Sequence, residues 1–328
     1  IAFKKKKYLK SIEIFDHAIK FYPKIADLYL NKTLALISID KYSEALECCE
    51  KLDTLDKNNQ KTFNFKGLIF LKQNKNYDAI DNLKKSLEIN NQNSETYNNL
   101  GIAYIRIKKY EESINYLKKS INLNSNSPEA YINLGTAFKN IREFDKAIMN
   151  FNKAIELNPN SHEAYNNRGL IYKDLNNMDN ALEDYEHSLK IKPTANVFNN
   201  IANIYKNQNK LEKALENYEK ILTFDEDYEG AFGNVIHTNS KLCIWKNYDK
   251  NLNKLEKKIK EKKKVSSTFT LLSLFDSNDI IKQNAKLESN DDKNIKVKKY
   301  KTLINKKIKI GYYSADFRNH PVSFQLSR

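Results

Sequence analysis

Glycine and proline are scarce in this chain, at seven and five in 328 residues. So few breakers argue for long helices joined by short turns. Cysteine is scarcer still, at three. Cys48 and Cys49 are adjacent on an expected helix, a poor geometry for a structural disulfide, and Cys243 stands far away. No zinc-binding spacing occurs. The expected compartment is therefore reducing, the cytoplasm. No apolar run reaches the length of a membrane span. Arginine is nearly missing, with five among 56 basic residues. The formal charge of +15 thus lacks the side chain that reads phosphate best, and nucleic acid is not the expected partner. Lys, Asn, Ile and Tyr are raised together, as A/T-rich coding would raise them. A Ser-His-Asp set, a glycine-rich phosphate loop and a metal cluster are all missing. His17, His162, His187 and His237 have no partner pattern and read as surface or packing residues. The chain opens on Ile1 and on an incomplete copy of its repeat, so a cut N-terminus is expected.

What the chain has in abundance is one pattern. Residues 128–159, PEAYINLGTAFKNIREFDKAIMNFNKAIELNP, read as two amphipathic helices with a short turn. Tyr131, Leu134 and Phe138 share one face, and Ala147, Phe151 and Ala154 share another. Gly135 and Ala147 are small where the two helices would cross. The unit recurs about every 34 residues. Gly135 is matched by Thr33, Gly67, Gly101, Gly169 and Ala202. Ala147 is matched by Ser11, Ala45, Ala79, Ser113, Ala181 and Ala214. Pro23, Pro159 and Pro193 end copies of the second helix. Several positions in phase over some 220 residues resemble the tetratricopeptide repeat.

The pattern sets the expected organisation, an all-α tetratricopeptide-repeat α-solenoid with one strand at its end. Residues 1–228 form the superhelix, with full copies starting near Ala26, Gln60, Ser94, Pro128, His162 and Ala195. Residues 229–264 form a degenerate capping repeat, in which Ile236 and Tyr248 replace small residues, followed by a basic helix. That helix, within residues 251–264, reads as a solvated outer face. Residues 265–306 read as a helical transition segment and a polar linker. Residues 307–328 open with KIKIGYYS, a β-rich stretch expected to form a strand.

The resemblance implies that the first helix of each copy lines the concave side. Its sixth position holds Asn31, Phe65, Asn99, Asn133, Asn167, Asn200 and Asn234. A carboxamide has an acceptor and two donors, so a ladder of them suits the backbone of an extended peptide of any sequence. These six asparagines are the expected acceptor-peptide site. The tyrosines of the same helices read mostly as packing residues.

Behind such a ladder, two further motifs resemble the O-linked N-acetylglucosamine transferases, including the bacterial and Spindly-type groups. Cys243-Ile244-Trp245-Lys-Asn-Tyr248 is similar to the family's C-D-W-x-x-Y, with Ile244 departing from its Asp. Gly311-Tyr-Tyr-Ser-Ala-Asp316-Phe317-Arg-Asn-His320-Pro321 is close to its G-Y-x-S-x-D-F-x-x-H-P. The resemblance implies an inverting GT-B enzyme that moves a sugar from UDP-N-acetylglucosamine, or in Spindly-type members GDP-fucose, to Ser or Thr of acceptor proteins. It implies that His320 is the active-site histidine, while Asp316 reads as a loop cap. Residues 307–328 would be the start of a Rossmann-like lobe, with no cofactor or donor bound by this stretch alone. The alternative is a non-enzymatic repeat scaffold that binds partner proteins. Self-association through the repeats is left open.

Overall fold

The computed structural model describes residues 2–289, with side chains from Lys6 onward. Every regular element among them is a helix. The first, α1 (Ala2–Phe21), is the second helix of an incomplete copy, as its in-phase Ser11 and Pro23 require. Six helical hairpins follow: α2 (Ala26–Ser38) with α3 (Tyr42–Leu55), α4 (Gln60–Lys72) with α5 (Asn76–Ile89), and α6 (Ser94–Arg106) with α7 (Tyr110–Leu123). Then come α8 (Pro128–Asn140) with α9 (Phe144–Leu157), α10 (His162–Asp174) with α11 (Met178–Ile191), and α12 (Ala195–Asn207) with α13 (Leu211–Phe224). A seventh pair, α14 (Ala231–Lys241) and α15 (Tyr248–Lys260), is followed by the short α16 (Thr268–Leu271) and by α17 (Asn278–Ser289). The expected strand in residues 307–328, with Asp316 and His320, lies outside the described residues.

Local chemistry explains where the inner helices start. Asn59, Asn93, Ser127 and Ser161 each accept a hydrogen bond from an N–H of the first turn that follows. The turns within hairpins are closed in one repeated way. Asn74, Lys108, Arg142, Asn176 and Asn209 all take positive φ, between 56° and 63°. The N–H after each reaches back to a carbonyl in the last turn, as Lys75 does to Phe70 and Glu143 to Phe138. This is the Schellman closure, made here without glycine.

Packing then follows the small positions. A Cβ at Gly135 would lie 2.8 Å from the Phe151 ring, so the glycine lets α8 sit directly on that aromatic. Phe151, Tyr185 and Tyr218 occupy the same place in successive copies and are fully buried. The core is a chain of such slabs, each pooling residues of adjacent copies. Ile114 and Leu117 of α7, for example, share one slab with Ala164 and Ile171 of α10. Each copy is therefore stable only with its neighbours.

The capping end departs from the expected solvated helix. Leu255 and Ile259 of α15 are buried against Phe232 and Ile236 of α14. Lys258 is only 6 % exposed and pairs with Asp227. Lys254 pairs with Glu226, and Lys263 with Asp227 at 2.7 Å. Part of the basic run is thus tied to the acidic turn before α14, because its apolar stripe draws it inward.

Candidate functional site: the inner face

The first helices of neighbouring copies touch one another from α2 through α10, whereas no comparable contact joins the second helices. The stack therefore bends with first helices inside. The asparagine ladder sits on this inner set. Asn31 is exposed, Asn99 is 6 % exposed, and Asn133, Asn167, Asn200 and Asn234 are half-buried. Phe65, the odd member, is half-buried too.

Hydrogen bonding tells the six amides apart. Asn133 Nδ2 donates to Asn98 Oδ1 at 2.9 Å, and Asn200 Nδ2 to Asn166 Oδ1 at 3.4 Å. Each of these bonds crosses to the inner helix of the preceding copy and uses one donor. Asn167 Oδ1 accepts from Lys139 Nζ at 3.5 Å. Asn99 Nδ2 is buried with no partner. The ladder thus joins copies together while holding acceptor and donor capacity in reserve.

Sequence reasoning missed a second column on the same face. The twelfth position of successive inner helices reads Ile37, Leu71, Ile105, Lys139, Lys173 and Lys206. The first three are apolar, with Ile37 and Leu71 buried in the core, and the last three are half-buried lysines. Lys139 is half-buried, and burial lowers its pKa, with a minor contribution from Lys173 that the Asp174 carboxylate opposes. Burial and the neighbouring Lys241 lower that of Lys206. The signal was present at 34-residue spacing but hidden by the abundance of lysine.

His237 joins this group. It is half-buried, its Nδ1 lies 2.9 Å from Ser273 Oγ, and burial, Lys241 and Lys206 together hold its pKa below the ordinary value. The remaining histidines match expectation better: His17 packs on Phe21 and His187 stacks on Tyr165.

At the last copy the chain's own segment covers the fifth-position side of the inner helix, which in earlier copies meets the next inner helix. Gly230 and Gly233 donate their N–H groups to the carbonyls of Lys264 and Val265, both at 2.9 Å. A Cβ at Gly233 would meet Ser266 Oγ at 2.1 Å and its Cα at 3.0 Å. Residues 264–266 thus lie across the start of α14 on the side where a further inner helix would pack. Trp245 packs edge-on against Tyr248 at 5.1 Å and stays 57 % exposed, on the turn between α14 and α15. Cys48 and Cys49 are buried free thiols, and burial pushes Cys49 up to about 12. Among the described residues no group of His, Cys, Asp or Glu is placed to hold a metal, and no helix is long and apolar enough to cross a membrane.

Comparison with known proteins follows the same lines. The tetratricopeptide repeat model matches residues 128–161, 162–194 and 195–228, and a second TPR repeat model matches 67–108 and 103–141. No curated protein matches the chain. Among solved structures, the Cut9–Hcn1 assembly of APC/C has a chain that is 20% identical, with a TM-score of 0.63 over 70% of this chain and 46% of that one. A tetratricopeptide repeat protein from Parabacteroides merdae is 20% identical, with a TM-score of 0.55 over 67% and 88%. YrrB, described as a TPR protein with an unusual peptide-binding site, is 25% identical at a TM-score of 0.45, over 57% and 96%. These likenesses concern the fold. Over residues 67–228 this chain is an array of tetratricopeptide repeats.

Proposed function

We propose that the array is a docking scaffold that holds an extended stretch of partner polypeptide along its inner face. The observation that carries this reading is the asparagine ladder with its unspent hydrogen-bonding capacity. One carboxamide can serve both the N–H and the C=O of a passing peptide unit. Each such bond nets only about 0.5–1.5 kcal/mol, so several in series are needed against the cost of ordering the peptide. Fluorescence anisotropy with labelled, unstructured 15-residue peptides of neutral composition tests it. The triple variant N133A/N167A/N200A is expected to weaken capture about tenfold with far-UV circular dichroism unchanged. Unchanged affinity would remove the ladder from the account.

A second reading adds catalysis, and residues 311–321 support it through their resemblance to the O-linked N-acetylglucosamine transferases. In it the scaffold presents acceptor proteins to a sugar-transfer centre that includes His320. The test is incorporation of labelled sugar from UDP-N-acetylglucosamine, and then from GDP-fucose, into peptides by the protein. No incorporation from either donor ends this reading.

A further inference from the structure

Several lysines of the second helices sit in ion pairs on the exposed surface. Lys41, Lys85, Lys146, Lys153 and Lys220 lie on exposed second helices or their starts, and each has a carboxylate within 2.7 Å. Such exposed pairs contribute little. Lys139, Lys173 and Lys206 are half-buried, and among the described residues no ion pair forms at any of them.

Their placement is regular. The twelfth position of one inner helix faces the sixth position of the next, as the contact from Lys139 to Asn167 shows. Lys173 and Lys206 hold the same twelfth position in the next two inner helices. The seam between α8 and α10 thus pairs an ammonium with a carboxamide. At this seam a cleft of about 540 Å³ opens between the ends of the two helices. Lys139, Arg142 and Lys173 line it, with Asp174 as its only acid.

We infer that the downstream half of the inner face, from Lys139 to Lys206, selects acidic polypeptide segments, with lysines taking Asp and Glu side chains while asparagines hold the backbone. This rests on the scaffold reading above and adds the partner's charge to it. A nucleic-acid strand fits the same face less well. Exposed Glu129 and Glu163 stand in the first turns of α8 and α10, about 15 Å from the lysines at 1.5 Å per residue. A strand charged at every phosphate meets both rims. An extended peptide can turn acidic side chains to one rim and neutral ones to the other.

The full chain is titrated in fluorescence anisotropy with three labelled probes: a 15-residue peptide alternating Glu with Ser, its counterpart with Gln for Glu, and a 15-nucleotide thymidine strand. In 50 mM salt the acidic peptide is expected to bind at least tenfold tighter than the Gln peptide, and the gap should close in 0.5 M salt. The variant K139Q/K173Q/K206Q is expected to lose that gap and to keep both its affinity for the Gln peptide and its thermal stability. Equal binding of the two peptides overturns the charge selection and leaves the scaffold reading standing. No binding of either peptide overturns both. A gap that survives the triple variant overturns the assignment to these lysines. A thymidine strand that binds tighter than the acidic peptide, and loses that affinity in the variant, replaces the peptide by nucleic acid.

Discussion

At the residue scale, the side chains that matter most are those whose polarity is enclosed. Arg168 on α10 forks onto Asp184 of α11, with bonds of 2.8 and 2.6 Å, and its third contact is Asn152 Oδ1 at 2.6 Å. The Asp184 side chain is 4 % exposed. Removing the guanidinium would leave a buried carboxylate alone, so R168A is expected to cost about 3 kcal/mol in urea denaturation. R168K, which cannot fork, should recover only part of it. His237 predicts a pH dependence. Its folded pKa is held below the ordinary value by burial, Lys241 and Lys206, while the unfolded chain takes up the proton near pH 6.5. The folded state thus binds fewer protons, and stability is full above about pH 6.5 and falls as pH drops below it. The urea midpoint should decrease from pH 7.5 to 5.5, and H237Q should flatten that difference. Neither feature was legible beforehand. Arg168 and Asp184 fall on different helices of one hairpin, and the neighbours of His237 come from three elements.

At the element scale, the repeated turns explain both what could be read and what could not. The starts expected at Ala26, Gln60, Ser94, Pro128, His162 and Ala195 coincide with α2, α4, α6, α8, α10 and α12. They were legible because small and aromatic residues recur together at one period. The left-handed residue in each turn was not. It is Asp40, Asn74, Lys108, Arg142, Asn176, Asn209 or Cys243, with no shared chemistry and never glycine. The backbone there is dictated by the closure of the hairpin, and the residue type only tolerates it. Glycine removes the Cβ penalty at such a site. K108G is therefore expected to stabilise by about 0.5–1 kcal/mol, read as a higher urea midpoint at unchanged slope. The opposite holds at Gly135, where any Cβ meets the Phe151 ring. G135V should cost about 1–3 kcal/mol by overpacking.

At the scale of the whole molecule, the array is a stack whose inner helices change character along its length and whose last inner helix is covered by the chain itself. Apolar positions such as Ile37, Leu71 and Ile105 give way to Lys139, Lys173 and Lys206, and the last inner helix holds residues 264–266. That last contact joins sites some thirty residues apart through backbone hydrogen bonds, which leave no trace in side-chain pattern. Only the pair of glycines at 230 and 233 hinted at a close approach. G233V should displace the segment, because its nearest atoms include the Ser266 backbone. Hydrogen exchange at residues 264–289 is expected to speed up while α2 to α13 keep their protection. The ladder was legible as a column, yet its division into joined and spare amides required the neighbouring helices in place.

The central claim is that carboxamides of the inner helices hold polypeptide. The most direct measurement is nuclear magnetic resonance of the chain labelled with 15N at asparagine, titrated with the Glu–Ser peptide. The account predicts that side-chain amide resonances of Asn133, Asn167 and Asn200 shift together and saturate at one dissociation constant, while those of outer residues such as Asn82 and Asn150 stay in place. Binding accompanied by shifts confined to outer amides, with these three unmoved, would contradict it.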